Sequence, residues 1–302
     1  MDERLKSARQ QTIGRRVSLQ GIGLHSGCRV SVWLKPAPVD AGIRFSVLTA
    51  GSVVEIPARI DCVRETKLAT TLSRNGVAIQ TVEHLLAAAA AFHIDNLTIE
   101  VDGPEIPVMD GSARPFGDAI AGAGLVVQAA PRRIMSIAAC FEVSDAHGVI
   151  ACSPAPRLEV CTTVAYDHPA VGRQRFEYVD AGPEAFMANL AGARTFGFLE
   201  DVERLKSRGL IKGGSLENAV VFGPEGALND EGLRWDNEPV RHKTLDLLGD
   251  LVLIGSPIRG RFETFRAGHE LHTKLVAHLR SHPELWALDV TEADYEPVTV
   301  AP

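Results

Sequence analysis

The sequence has no C-x-x-C pair, and Cys28, Cys62, Cys140, Cys152 and Cys161 are odd in number and widely spaced. That excludes a cysteine-ligated metal ribbon and a secreted disulfide framework; the thiols read as reduced and structural, as in a cytoplasm. There is no Lys/Arg run either. With a formal charge of −7, nucleic acid is excluded as a partner, and an anionic ligand requires a local group of cations. No apolar stretch approaches the ~20 residues needed to span a bilayer. The longest, Leu85–Phe92 and Ala119–Ala130, are short and rich in Ala and Gly, and the run from Met1 to Gln11 is too polar for a secretory signal. We therefore expect a cytoplasmic, monomeric protein with no stable membrane insertion, although one able to handle a lipid. The G-x-G-x-x-G and H-E-x-x-H patterns are also missing.

What is present is an ordinary globular composition, 45% hydrophobic and 23% charged over 302 residues. It suffices for a real core in one large domain or two of common size. The most informative stretch is Arg241-His-Lys-Thr-Leu-Asp-Leu-Leu-Gly-Asp-Leu251. Read as a helix advancing about 100° per residue, with His242 at zero, it puts Asp246 near ~40°, Asp250 near ~80° and Lys243 near ~100°. Leu245, Leu247, Leu248, Leu251 and Val252 occupy most of the remaining arc. A narrow polar stripe on an oily helix belongs in a cleft or an interior site. An imidazole and a carboxylate at i, i+4 are ordinary zinc ligands, but they also suit a surface pair, and two ligands do not make a site.

Upstream, Thr12–Leu19 reads as a strand entering the loop Gly21-Ile-Gly-Leu-His-Ser-Gly27, which suits the border of a site better than a nucleotide cradle. Strands are expected at Arg29–Leu34, Ile43–Leu48, Val53–Ala58 and Ala78–Ile79. From Thr81 to Phe92 the Ala/Leu-rich run predicts a buried helix capped by Thr81. Glu83 and His84 lie in its first turn, where unpaired burial costs several kcal/mol. They either cap the helix or supply a third ligand and its catalytic neighbour. Leu97–Val101 is a strand, and the Pro- and Gly-rich run through Asp110 precedes a helix from Phe116 to about Gly124.

The pattern breaks around Gln128–Arg132, which predicts two α+β domains, 1–129 and 130–302. The second half repeats the order of the first: several strands, then helices. We expect strands at Arg133–Ile137, Cys140–Val143, Val149–Cys152, Leu158–Val164 and Leu253–Ile254, and helices at Pro183–Leu190, through 241–251, and at His269–Ser281. Within it lie a mostly apolar insertion near 195–221, the segment Arg194-Thr-Phe-Gly-Phe198 with a hydroxyl between a cation and aromatics, and His269 opening the last helix. Together these suggest a duplicated α+β unit.

Several segments in chain order resemble the zinc-dependent UDP-3-O-acyl-N-acetylglucosamine deacetylases of lipid A biosynthesis: Gly21–Gly27, Thr81-Val-Glu-His-Leu85, Glu105-Ile-Pro-Val-Met-Asp-Gly-Ser112, Arg194–Phe198, Arg241–Asp246 with Gly249-Asp250, and Gly268-His269. The resemblance implies two similar domains, each a small sheet layered with two helices, the helices facing each other around the site. It implies one Zn2+ held by His84, His242 and Asp246, with Glu83 as general base and His269 as general acid. Lys243, Thr195 and Asp250 would support them, and Leu24, Tyr166, Phe196, Phe198, Lys243 and Arg266 would meet the substrate. Ala69 stands where many members carry Cys, Tyr166 where they often have Phe, and Arg266 where they often have Lys.

The chemistry is coherent with those types. Two neutral imidazoles and a carboxylate leave a divalent ion positively charged, with a position open for water. A carboxylate beside one ligand reaches that water, and an imidazole has the pKa range to protonate a departing amine. The apolar insertion would pass an acyl chain, and Arg266, Lys243 and Lys212 would meet a diphosphate. Another metal-dependent amidase or esterase remains the nearest alternative, and a metal-stabilised binding protein without chemistry the next.

Overall fold

In the strand Arg29–Pro36, Val30, Val32 and Leu34 turn inward and the residues between them outward, the period of two that a half-buried strand requires. The computed structural model describes residues 9–290. Its first sheet runs, in spatial order, Val17–Ile22, Arg29–Pro36, Leu97–Val101, Ile43–Leu48 and Val53–Pro57. Leu97–Val101 pairs in parallel with Ile43–Leu48, and the other pairs are antiparallel.

The second sheet repeats this plan as Phe141–Ser144, Val149–Ser153, Ile258–Phe265, Leu158–Ala165 and Arg173–Val179, again with one parallel pair at its centre. Arg133–Ile137 and Trp286–Val290 extend it from the Ile258 end. In each of these five-strand arrays the last strand in sequence, Leu97–Val101 or Ile258–Phe265, is the middle one. A parallel neighbour must be reached by a long crossover, and each crossover carries the helix that matters most: α1 (Glu83–Ala91) in the first half.

Helix α2 (Arg114–Ala123) closes the first half, and the second half supplies α3 (Pro183–Asn189), α4 (Leu199–Ser207), α5 (Glu238–Leu251) and α6 (His269–Ser281). The chain is thus an α+β protein of two similar units. Helices α1 and α5 pack directly on each other, and one continuous core joins both sheets to them. Leu85, Leu86 and Ala87–Ala89 are wholly buried, because the small alanine side chains let the partner helix approach. At the tightest point Gly249 lies against the backbone of Glu83, where any Cβ would strike the Glu83 carbonyl.

Four local expectations change. The first strand is two, Arg9–Ile13 and Val17–Ile22, and Arg9–Ile13 pairs with Leu125–Pro131. Thr81 does not cap α1: it sits at φ 60° with its hydroxyl donated to Glu105, and Val82 occupies the cap position. Leu253–Ile254 belongs to a 3-10 turn that prolongs α5, and the strand starts only at Ile258. The insertion is less apolar than expected, since α4 buries no residue; its apolar part is the small sheet of Phe196–Phe198, Val220–Gly223 and Gly226–Ala227.

Gly→Ala inside a helix ordinarily stabilises by up to ~1 kcal/mol. Gly249→Ala is expected to do the opposite, costing about 1–3 kcal/mol as overpacking between two backbones. A denaturant midpoint at or above that of the wild type would show that the helices do not meet there.

Candidate metal centre and active site

The close crossing sets the first turn of α1 against the middle of α5. His84 and His242 meet edge to face with ring centroids 4.9 Å apart. Their Nε2 atoms lie 3.7 Å and 3.4 Å from the same oxygen, Asp246 Oδ1. All three side chains are buried, and their donor atoms fall within 4.8 Å of one another. The surroundings fix the protonation states. Nδ1 of His242 faces the Ala193 carbonyl at 3.0 Å, and a carbonyl only accepts, so Nδ1 carries the proton and Nε2 presents a lone pair. Burial, then the neighbouring His242, drives His84 down to about 3, and burial likewise lowers His242. Both imidazoles are therefore neutral at pH 7. Burial alone would raise Asp246, but His242 and Lys243 hold it well below the ordinary carboxylate range.

Asp246 Oδ1 has no hydrogen-bond partner although it is buried, while Oδ2 accepts from Lys243 Nζ at 2.5 Å. A buried, ionised, unpartnered oxygen is costly unless something cationic sits on it. Two neutral imidazoles and a carboxylate converging there fit a divalent ion. Asp250, His269 and His272 also lie close enough together to hold one. Their carboxylate, however, is already occupied. Asp250 Oδ2 accepts from His269 Nδ1 at 2.7 Å and His272 Nδ1 at 2.8 Å, and Oδ1 accepts from Thr70 Oγ1 at 2.6 Å. This second group is a hydrogen-bonded cluster complete in itself.

Glu83 and His269 stand beside the first group. His269 Nε2 lies 3.9 Å from Glu83 Oε1 and 3.8 Å from Asp246 Oδ2. Burial pushes the Glu83 carboxyl up to about 7, against the pull of His269. Burial by itself would lower His269, yet Asp250 and Asp246 raise it to about 9. At neutral pH the site thus holds a carboxyl near its midpoint next to an imidazolium.

Thr70 links the two. Its amide donates to Glu83 Oε2 at 3.1 Å, its hydroxyl donates to Asp250, and that hydroxyl oxygen lies 3.3 Å from His269 Nδ1. Nothing in the sequence distinguishes it from its neighbour Thr71. His272 was findable, because i, i+3 places it on the face of α6 that carries His269.

The other expected residues fall at varying distance from this group. Phe196 stands 6.3 Å from His242 and 5.5 Å from Tyr166, and Tyr166 is 5.4 Å from Phe198, so these three form an aromatic wall on one side. Tyr166 and the exposed Arg266 line one small cavity of about 230 Å³. Leu24 lies in the loop that bonds through its backbone to Gly213 of the insertion, and Lys212 is exposed in that same turn. The Thr195 amide donates to the Gly111 carbonyl at 2.8 Å, which fixes the chain just after Ala193. Lys243 Nζ is committed to Asp246, and the Asp246 charge raises its pKa in spite of burial. Arg194 offers no cation to the site: it is buried and forked onto Glu238 at 2.8 Å and 3.1 Å. Asp110 accepts from Ser112 and Arg234 and serves as a turn.

A family model described as UDP-3-O-acyl N-acetylglycosamine deacetylase, LpxC, matches residues 10–281. The chain belongs to that family. Curated deacetylases of this name are similar along almost the whole chain. The protein from Myxococcus xanthus is 45% identical over 94% of this chain and 90% of its own. That of Oleidesulfovibrio alaskensis is 44% identical over 92% and 90%, and that of Xanthomonas oryzae pv. oryzae 41% identical over 92% of each. The chain is accordingly an enzyme of the deacetylase class.

Thr70→Val keeps the amide bond to Glu83 and removes the hydroxyl from Asp250 and His269. We expect a fall in kcat of about tenfold, on the order of one lost charge-assisted hydrogen bond, with KM nearly unchanged. Wild-type kcat would show that Thr70 positions nothing.

Proposed function

We propose that this chain hydrolyses the N-acetyl group of a UDP-3-O-acyl-N-acetylglucosamine in a zinc-dependent reaction, releasing acetate in the cytoplasm as a step of lipid A synthesis. One observation carries the reading: two neutral buried imidazoles and an unpartnered carboxylate oxygen converge from two helices, in a chain of a deacetylase family. His84, His242 and Asp246 would hold the ion. When bound, zinc supplies Lewis acidity, which acidifies water and polarises a carbonyl.

The remaining chemistry is assigned to the chain's own residues. Glu83 takes a proton from the attacking water, and a carboxyl near 7 is suited to that work at neutral pH. The water oxygen bonds to the acetyl carbon, the C–N bond breaks, and His269 gives its Nε2 proton to the departing amine. Asp250 keeps that imidazolium charged and oriented through Nδ1. The Thr195 hydroxyl stabilises the oxyanion, one such donor being worth ~3 kcal/mol. Lys243 fixes the Asp246 carboxylate through Oδ2, leaving Oδ1 to the ion.

For the substrate, Phe196 and Phe198 supply the apolar wall along which the acyl chain would pass, with Leu24 contributing from the loop that bonds to Gly213. Tyr166 and Arg266 would take the nucleotide diphosphate by stacking and by charge, with Lys212 as a further cation.

Purified wild-type protein is expected to carry one zinc per chain. Glu83→Ala and His269→Ala should each lower acetate release by about 10²–10⁴-fold with the metal retained, whereas His84→Ala should lose the metal. Loss of zinc from His269→Ala would exchange the roles of acid and ligand. Shortening the acyl chain should raise KM by about fourfold for each buried methylene removed, from ~0.8 kcal/mol apiece; an unchanged KM would remove the aromatic wall from the acyl path.

A further inference from the structure

A second cavity, apart from the one lined by Tyr166 and Arg266, shares no lining residue with the metal centre. It is a cleft of about 850 Å³ between the two halves, at the C-terminal ends of α1 and α5, with Ala90, Leu248, Leu251 and Val252 in its lining. That is the volume of a site for a small organic ligand. Its charge runs against that of the chain as a whole. Five arginines line it, at 59, 132, 133, 157 and 259, against the aspartates at 40, 95 and 180, although the chain carries −7.

The aspartates are already engaged: Asp95 with Arg132, Asp180 with His93, and Asp40 with Gln10. Arg59 has Asp61 at 3.6 Å. Arg133, Arg157 and Arg259, by contrast, make no side-chain hydrogen bond or ion pair among the described residues. Two of these three stand side by side: the Gly260 amide donates to the Arg157 carbonyl at 3.0 Å, and Leu158 is in register with Gly260, which places Arg157 beside Arg259 on parallel neighbouring strands. Adjacent like charges on a shared cleft wall repel, and among the described residues no carboxylate is paired with them.

We propose that this cleft is a second ligand site, selective for a small phosphorylated amphiphile. The guanidinium forks of Arg157 and Arg259, side by side, match a phosphate monoester in shape and charge, and Arg133 adds a further cation to the same lining. The apolar residues at the ends of α1 and α5, with Ile258 and Leu288 in the same lining, accept a hydrocarbon portion. Its lining includes the last turns of the two helices whose other turns carry His84, His242 and Asp246. The assignment does not depend on the reaction proposed above.

The probes are hexyl phosphate and inorganic phosphate, titrated calorimetrically into the full-length holoenzyme. Hexyl phosphate is expected to bind at least tenfold more tightly than inorganic phosphate. In Arg133→Ser/Arg157→Ser/Arg259→Ser its affinity should fall at least tenfold, with the wild-type deacetylase kcat in the absence of the probe serving as the test that the variant is folded. Arg157→Lys/Arg259→Lys, which keeps the charge and loses the fork, should give an intermediate loss. Hexyl phosphate binding unchanged in the triple variant, binding no tighter than inorganic phosphate, or no binding at all would each overturn the proposal.

Discussion

The packing of α1 on α5 at Gly249 is the constraint on which the site rests. Without a side chain there, the backbone of α5 comes to rest on the carbonyl of Glu83, and the next residue of α1, His84, is delivered to the turn of α5 that holds His242 and Asp246. The two helices come from different halves of the chain and occupy equivalent crossovers in two sheets of the same strand order. Duplication thus brings two helices face to face, and the alanines of α1 let the backbones close to the distance at which two imidazoles and a carboxylate share one point.

Within that small volume the same residue type is held in opposite states by its neighbours. His84 and His242 are kept neutral, first by burial and then by cations or by each other. His269 is equally buried but faces the carboxylates of Asp250 and Asp246, and these raise it to about 9. Asp250 serves three donors at once, from Thr70, His269 and His272, so its charge is fully compensated by hydrogen bonds. Asp246 is compensated on one oxygen only. That difference separates a cluster whose hydrogen bonds are complete from one that still has a lone pair to give.

The parts of the site that lie on regular helices were legible in the sequence. His242, Asp246 and Asp250 follow from the 3.6-residue period within an apolar arc, and Glu83 and His84 from the cost of burying charge in an alanine-rich turn. Features that depend on long-range approach were not. Thr70 comes from a loop, and its hydroxyl acquires meaning only when Asp250 arrives from 180 residues away. Arg194 reads as a cation beside the aromatics until the fold sets Glu238 against it. Thr81 has the residue type of a cap, but its left-handed backbone and the call of Glu105 on its hydroxyl decide otherwise. The repetition of strands and helices was visible; the order in which the strands pair, with Leu97–Val101 and Ile258–Phe265 each at the centre of five, was not, because pairing order leaves no local period.

The proposed chemistry requires a metal at one place, between the two central helices. Anomalous diffraction at the zinc edge, from crystals of the protein grown with stoichiometric zinc, tests this directly. The structure predicts a single peak within bonding distance of His84 Nε2, His242 Nε2 and Asp246 Oδ1. A peak instead among Asp250, His269 and His272, or no peak between the two central helices, would contradict it.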